Sequence, residues 1–259
     1  MIDNGRFATI LKWELQNLFR FPFPEVLIAV FIYMAFLPHE FGWSSSFAQE
    51  LLSWPFITSQ ISFATAKSVT FFISSFYVPM GIFASILCTV SFAYEIENGL
   101  LKVHLSHPGS RTSIFSSKLL SCFLIVFTTY STSLFSYIFL EIPENVPYVI
   151  LSPDFVLLRI LLLATSLSLF MVSLTVSFSL FSAKASVSLV GSFATIYLIQ
   201  LLSTTANLKF LPPICFREQA MSLFDSRHPD LTNILTVPLI SVFLVILSYL
   251  YFSRRLEIS

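Results

Sequence analysis

Apolar residues gather into six long stretches of this chain, near 22–41, 68–92, 114–140, 155–182, 187–206 and 236–252, and charged side chains are nearly excluded from them. A spanning helix needs roughly 20 apolar residues to cross a hydrocarbon layer about 30 Å thick. With no water in that layer, each run must satisfy its own backbone N–H and C=O groups, which an α-helix does. The pattern predicts an all-α integral membrane protein with six transmembrane helices. The first stretch is the weakest, since its clean core, Val26 to Leu37, is short and must recruit Phe21, Phe23 and Phe41. The third and fourth are long enough to tilt.

Composition agrees. Of 259 residues 56% are hydrophobic and 11% charged, against about 25% charged in an ordinary soluble domain. No single soluble core encloses so much apolar surface, and the 30 phenylalanines suit lipid. Formal net charge is zero, so no basic field draws in nucleic acid. Cys88, Cys122 and Cys215 are far apart, without a disulfide framework or a C-x-x-C pair. Met1 to Arg20 does not read as a signal peptide, because charges interrupt it and no small-residue cleavage site follows. The first span is therefore read as uncleaved.

Lys and Arg set the expected orientation. With the N-terminus inside, Arg6, Lys12, Arg20, Lys102, Arg111, Lys118, Lys184, Arg254 and Arg255 fall on the cytoplasmic side, and Lys67, Arg159, Lys209, Arg217 and Arg227 on the other. This predicts a multi-pass protein of the cell membrane with both termini cytoplasmic. Ahead of the first span, residues 7–20 carry Phe7, Leu11, Leu15 and Leu18 at helical spacing, with Ile10 and Phe19 beside them and Lys12, Gln16, Asn17 and Arg20 opposite. Such an amphipathic helix lies in the membrane interface, whether as a plain anchor or with a further role. Two outer segments exceed simple turns. His39 to Ala66 holds Trp43 and Trp54, which favour the interface. Residues 207–235, with Pro212-Pro213, Phe216 and Phe224, form an extracytoplasmic segment that is surface-bound or re-entrant. No repeat or linker divides residues 1–259, so the chain is read as one domain.

Enzyme motifs are missing. The six glycines, at 5, 42, 81, 99, 109 and 191, lack the spacing of a phosphate-cradling G-x-x-x-x-G-K-[ST] loop, and neither G-x-S-x-G nor H-E-x-x-H occurs. His104 and His107 are placed for one helix face but lack a third partner on their side of the membrane, so a solvated loop pair is the reading and no metal site is assigned. Glu25, Lys67, Asp154, Arg159 and Lys184 fall near span ends, where snorkelling accounts for them. Pro79 is the one mid-span candidate for a helix break.

The informative stretch is 93–118, AYEIENGLLKVHLSHPGSRTSIFSSK. It reads as a helix end carrying Glu95 and Glu97, a break at Asn98-Gly99, and a short amphipathic piece bearing Leu100, Leu101, Val103 and Leu105. Pro108-Gly109 stops that piece, and Ser110 or Thr112 is placed to cap the next helix. A short helix with apolar knobs between two spans suits docking in a partner's groove.

This stretch resembles the signature region of type-2 ABC-exporter (ABC-2-type) permeases. Glu95, Glu97, Gly99, Leu100, Leu105, Ser106, Pro108, Ser110, Arg111 and Lys118 fall in register with that pattern. Gly109 departs from it, where the family often has Val or Ile, and so does Asn98-Gly99-Leu100. The layout of interfacial helix, six spans, tiny inner loop at Lys184 and long outer segment before the last span is similar too. The resemblance implies a permease subunit without its own nucleotide-binding motif, hence not itself an enzyme. No cofactor is expected on this chain, because ATP and Mg would sit on a partner ATPase. It implies a second permease copy or paralogue as well. Region 93–113 would couple to the ATPase through Glu95, Glu97, Gly99, Leu100, Leu105, Pro108, Arg111 and Lys118, and the 7–20 helix, with Lys12 and Glu14, would be a connector. Ser188, Ser192, Thr195 and Gln200 would line a path beside the second and fifth spans, or only tighten helix packing.

Glu14 falls at the edge of the apolar stripe, where an unpaired charge is costly. It either reaches solvent or pairs with Arg111 or Lys118. The rival functions are an ATP-independent secondary transporter or channel, which needs coupling charges or broken helices within the spans, and an integral membrane enzyme, for which only Glu95/Glu97 with His104/His107 clusters suitably.

Overall fold

The computed structural model describes residues 4–19, 25–26, 28–30, 33, 60–101, 111–141, 150, 156–182, 184–206, 208, 211–224 and 231–258. Its helices are α1 (Asn4–Leu18), α2 (Gln60–Cys88), α3 (Arg111–Glu141), α4 (Val156–Phe181), α5 (Ala185–Ala206), α6 (Ile214–Phe224) and α7 (Leu231–Ile258). Beyond α2 the chain continues through a π-helical stretch, Thr89–Ala93, into a last helical turn, Tyr94–Glu97. Among the described residues there is no strand. Among the described residues five helices are long and apolar enough to cross a membrane, over Ser75–Glu97, Arg111–Phe139, Val156–Phe181, Ala185–Ala206 and Ile234–Arg254. The architecture is that of an all-α, multi-pass membrane protein. Most of the first expected span, near 22–41, lies outside the described residues, as do 39–59 and 102–110.

Helix boundaries follow the apolar runs with instructive shifts. The second helix starts at Gln60, inside the stretch read as an outer loop, because Ser62 to Thr70 carries no residue that stops a helix. Pro79, the expected break, lies within the continuous helix α2. The irregularity sits instead at Thr89–Ala93, where the Tyr94 N–H bonds back to the Thr89 carbonyl, five residues earlier. A proline marks a missing donor in the sequence, whereas a π turn leaves no such mark.

Helix α4 is the hub, packing against α2, α3, α5, α6 and α7. Its buried residues lie all round the helix, among them Ile160, Leu163, Leu167, Met171, Val172 and Val176. Many buried hydroxyls satisfy themselves by bonding one turn back, as Thr129 does to the Ile125 carbonyl and Thr175 to that of Met171, so Ser and Thr enter the apolar bundle at little cost. Helix α5 is the opposite case. Only Ser188, Ser192, Ile196 and Ser203 are buried in it, while Val187, Val190, Tyr197 and Leu198 are exposed. Helix α6 lies within the 207–235 segment. Phe216 meets Phe170, in the middle of α4, edge to face with ring centres 5.7 Å apart. Nearer the start of α4, Gln219 Nε2 donates to Ser166 Oγ at 2.9 Å, and Arg159 donates to the Leu223 carbonyl at 2.9 Å. The first turn of α6 is thus set deep in the bundle, and its end lies level with the first turn of α4.

Candidate functional site

Of the charged residues singled out in 93–118, the described ones, Glu95, Glu97, Arg111 and Lys118, lie toward one end of the bundle. Lys118, two turns into α3, is fully buried, and so nearly are Glu14 of α1 and Glu95 of the turn after the π stretch. Lys118 Nζ lies 2.9 and 3.0 Å from the two Glu14 oxygens and 2.8 Å from Glu95 Oε1. One ammonium therefore joins three helical segments that are far apart in sequence. Glu14 is not at the edge of the buried face of α1 but at its centre, with Leu18. Of the three options open for Glu14, the Lys118 pairing is the one formed. Arg111 turns elsewhere, its Nη1 donating to the Ser253 carbonyl of α7 at 3.3 Å. Thr112 is inside the first turn of α3 and meets Tyr249 Oη at 3.0 Å. Phe115 packs there against Phe92, Tyr249 and Phe252.

The charges of the triad do not cancel, since two carboxylates face one ammonium. Glu95 Oε2 is buried and has no hydrogen-bond partner among the described residues. Burial pushes the Glu14 carboxyl above its ordinary value of 4.5; Lys118 opposes the shift and Glu95 adds to it. A buried ion cluster of this kind gains little over an apolar core, yet losing the one ammonium, which leaves buried carboxylates uncompensated, costs about 3–5 kcal/mol. Its use is to fix which segments dock together.

Glu97 takes a different partner. Its Oε2 accepts the Ala185 N–H, the first amide of α5, at 2.8 Å. The first N–H groups of a helix have no intrahelical acceptor and carry its positive pole, so a carboxylate there is favourable. Close by, Thr89 Oγ1 and Ser188 Oγ are 3.2 Å apart, and Ser188 Oγ is 3.0 Å from Ser179 Oγ of α4. Residues two apart on a helix point roughly 200° from each other, so Glu95 and Glu97 had to serve different neighbours. That divergence was legible in the spacing; the partners themselves were not. The π stretch contributes as well: one extra residue in a turn rotates everything beyond it by about 100°.

After Glu97 the helix stops as expected. Asn98 N–H and its side-chain Nδ2 both donate to the Tyr94 carbonyl, at 3.0 Å each. Gly99 N–H bonds to the Ile96 carbonyl at 3.2 Å, and Gly99 adopts φ of 71°, a conformation that glycine takes without strain. Leu100 is exposed and Leu101 buried. Leu105, Pro108, His104 and His107 lie outside the described residues. Lys12 is exposed on α1.

The residues expected along a path are divided. Ser188 and Ser192 are fully buried against the chain's own helices. Thr195 bonds to the Gly191 carbonyl one turn back, and Gln200 is partly buried, its Oε1 without a partner among the described residues. Neither a scan against protein-family models nor a search of curated proteins finds a match to this chain.

Proposed function

We propose that the chain is the membrane-spanning permease subunit of an ATP-binding cassette exporter, worked by a separate ATPase that docks on the segment after Glu97. The observation that carries this reading is the linkage of that segment to the bundle. The two acidic residues before Gly99 and the lysine at 118, three of the charged residues of the signature-like stretch, tie α1, α3 and α5 to one short turn. A groove-seeking surface joined in this way to several helices suits the transmission of rigid-body movement. On this reading the Glu95 end is cytoplasmic, α1 is the connector lying in the interface, and α6 is re-entrant from the opposite face. A second permease copy completes the path.

The test is co-purification. The tagged chain, extracted in mild detergent, is expected to bring down a protein bearing a phosphate-binding loop, and scrambling residues 99–107 is expected to abolish the capture without loss of membrane insertion. A folded, inserted chain that captures no such ATPase overturns the reading. An ATP-independent transporter is the second reading, and one observation favours it: the buried triad is the kind of ionisable cluster that ion coupling needs. Transport by the purified chain alone in vesicles would establish it.

A further inference from the structure

Helix α5 is embedded less than α2 and α4, and it rests on α4 on one side and on a narrow seam with α2 on the other. Three contacts make that seam. At mid-helix a side chain on Gly81 would come within 2.7 Å of Ile196 Cγ2, so α2 and α5 approach as closely as a missing Cβ allows. Nearer the Glu95 end, Thr89 in the π stretch meets Ser188, which is held from behind by Ser179. At the end itself Glu97 accepts the Ala185 N–H. Between α4 and α5 the chain has only residues 182–184, so the start of α5 is tied to α4 by the chain itself, and Glu97 supplies its tie to the end of α2. The other carboxylate of the pair, Glu95, points to Lys118 and away from α5.

We propose that Glu97 is a positioning residue that latches the first turn of α5 to the end of α2, so that a displacement of the Gly99–Leu100 segment is passed to α5. Glu95, through Lys118, passes the same displacement to α1 and α3. The two acidic residues thus divide one input between two outputs. The latch belongs to the chain alone; only its use in transmitting ATPase docking rests on the permease reading.

The experiment uses the purified full chain in detergent with no partner added. Hydrogen exchange is followed in a peptide covering 182–190, and spin labels at Leu100 and Ser186, both exposed, report the distance between the two segments. Glu97→Ala removes the acceptor and is expected to speed exchange of the first α5 amides about tenfold and to broaden the distance distribution. Glu97→Gln keeps an acceptor oxygen and is expected to stay near the parent in both. Peptides from the middle of α4 serve as the folding control and are expected to be unchanged. Unchanged exchange and distance in Glu97→Ala would overturn the latch whether or not an ATPase is ever captured. Failure to capture an ATPase, with the latch intact, would count against the permease reading alone.

Discussion

Lys118 has three N–H donors and is fully buried, so the two carboxylates within 3 Å stand in for its solvation. Removing the ammonium would leave both acids buried and unneutralised, whereas removing one acid leaves a neutral pair. Lys118→Met is therefore expected to lower stability by about 3–5 kcal/mol, and Glu14→Gln to change it far less. Thermal unfolding in detergent measures both; equal losses would show that the triad is held by geometry and not by charge balance.

The same residues set a pH dependence. Glu14 is raised above 4.5, facing Lys118 from α3 and Glu95 from the end of the α2 rod. The folded chain thus binds this proton more tightly than the unfolded chain does. Its contribution is fully present below about 4.5 and is lost as pH rises through the raised folded value. Acidifying from neutral is expected to strengthen α1 docking through this group, and Glu14→Gln to flatten that part of the stability–pH curve. A Glu14→Gln curve parallel to the parent's would remove Glu14 as the titrating group.

Among the elements, α2 and its extension decide the arrangement of the Glu95 end. Apolar run length predicts that a helix lies there but says nothing of the π stretch, since its residues, TVSFA, fit an α-turn equally well. The closeness of α2 to α5 is likewise a matter of one position. Gly81→Ala is expected to push Ile196 off α2 and cost about 1–3 kcal/mol by overpacking, with much of the loss recovered in Gly81→Ala/Ile196→Ala. A double variant no more stable than Gly81→Ala would place the strain elsewhere. Gly99 differs in kind: among the described residues no atom beyond its chain neighbours lies within 4 Å of an added Cβ, and the constraint seen there is the positive φ.

At the scale of the whole molecule, α5 and α7 present Val190, Phe193, Leu239, Phe243 and Ile246 outward, a surface that water does not tolerate and lipid does. The chain is expected to remain in the membrane pellet through an alkaline carbonate wash; release into the supernatant would contradict the multi-pass architecture. The presence and approximate place of the five described spans were legible in the sequence because crossing hydrocarbon imposes a length and a composition on each run separately, and both are local properties. The helix end at Asn98-Gly99 was legible for the same reason. The start of α2 at Gln60 was not, since no helix-stopping residue marks it. Pairing was legible only in part. The sequence by itself placed Glu14 on an apolar stripe that demanded a partner and offered Lys118 among others. That Lys118 was also shared with Glu95, that Glu97 capped a helix 88 positions away and that Ser188 and Ser192 turned inward were decided by the tertiary structure. A helical pattern states which face a side chain occupies, whereas its partner depends on how neighbouring helices are rotated and on how far each slides along its axis.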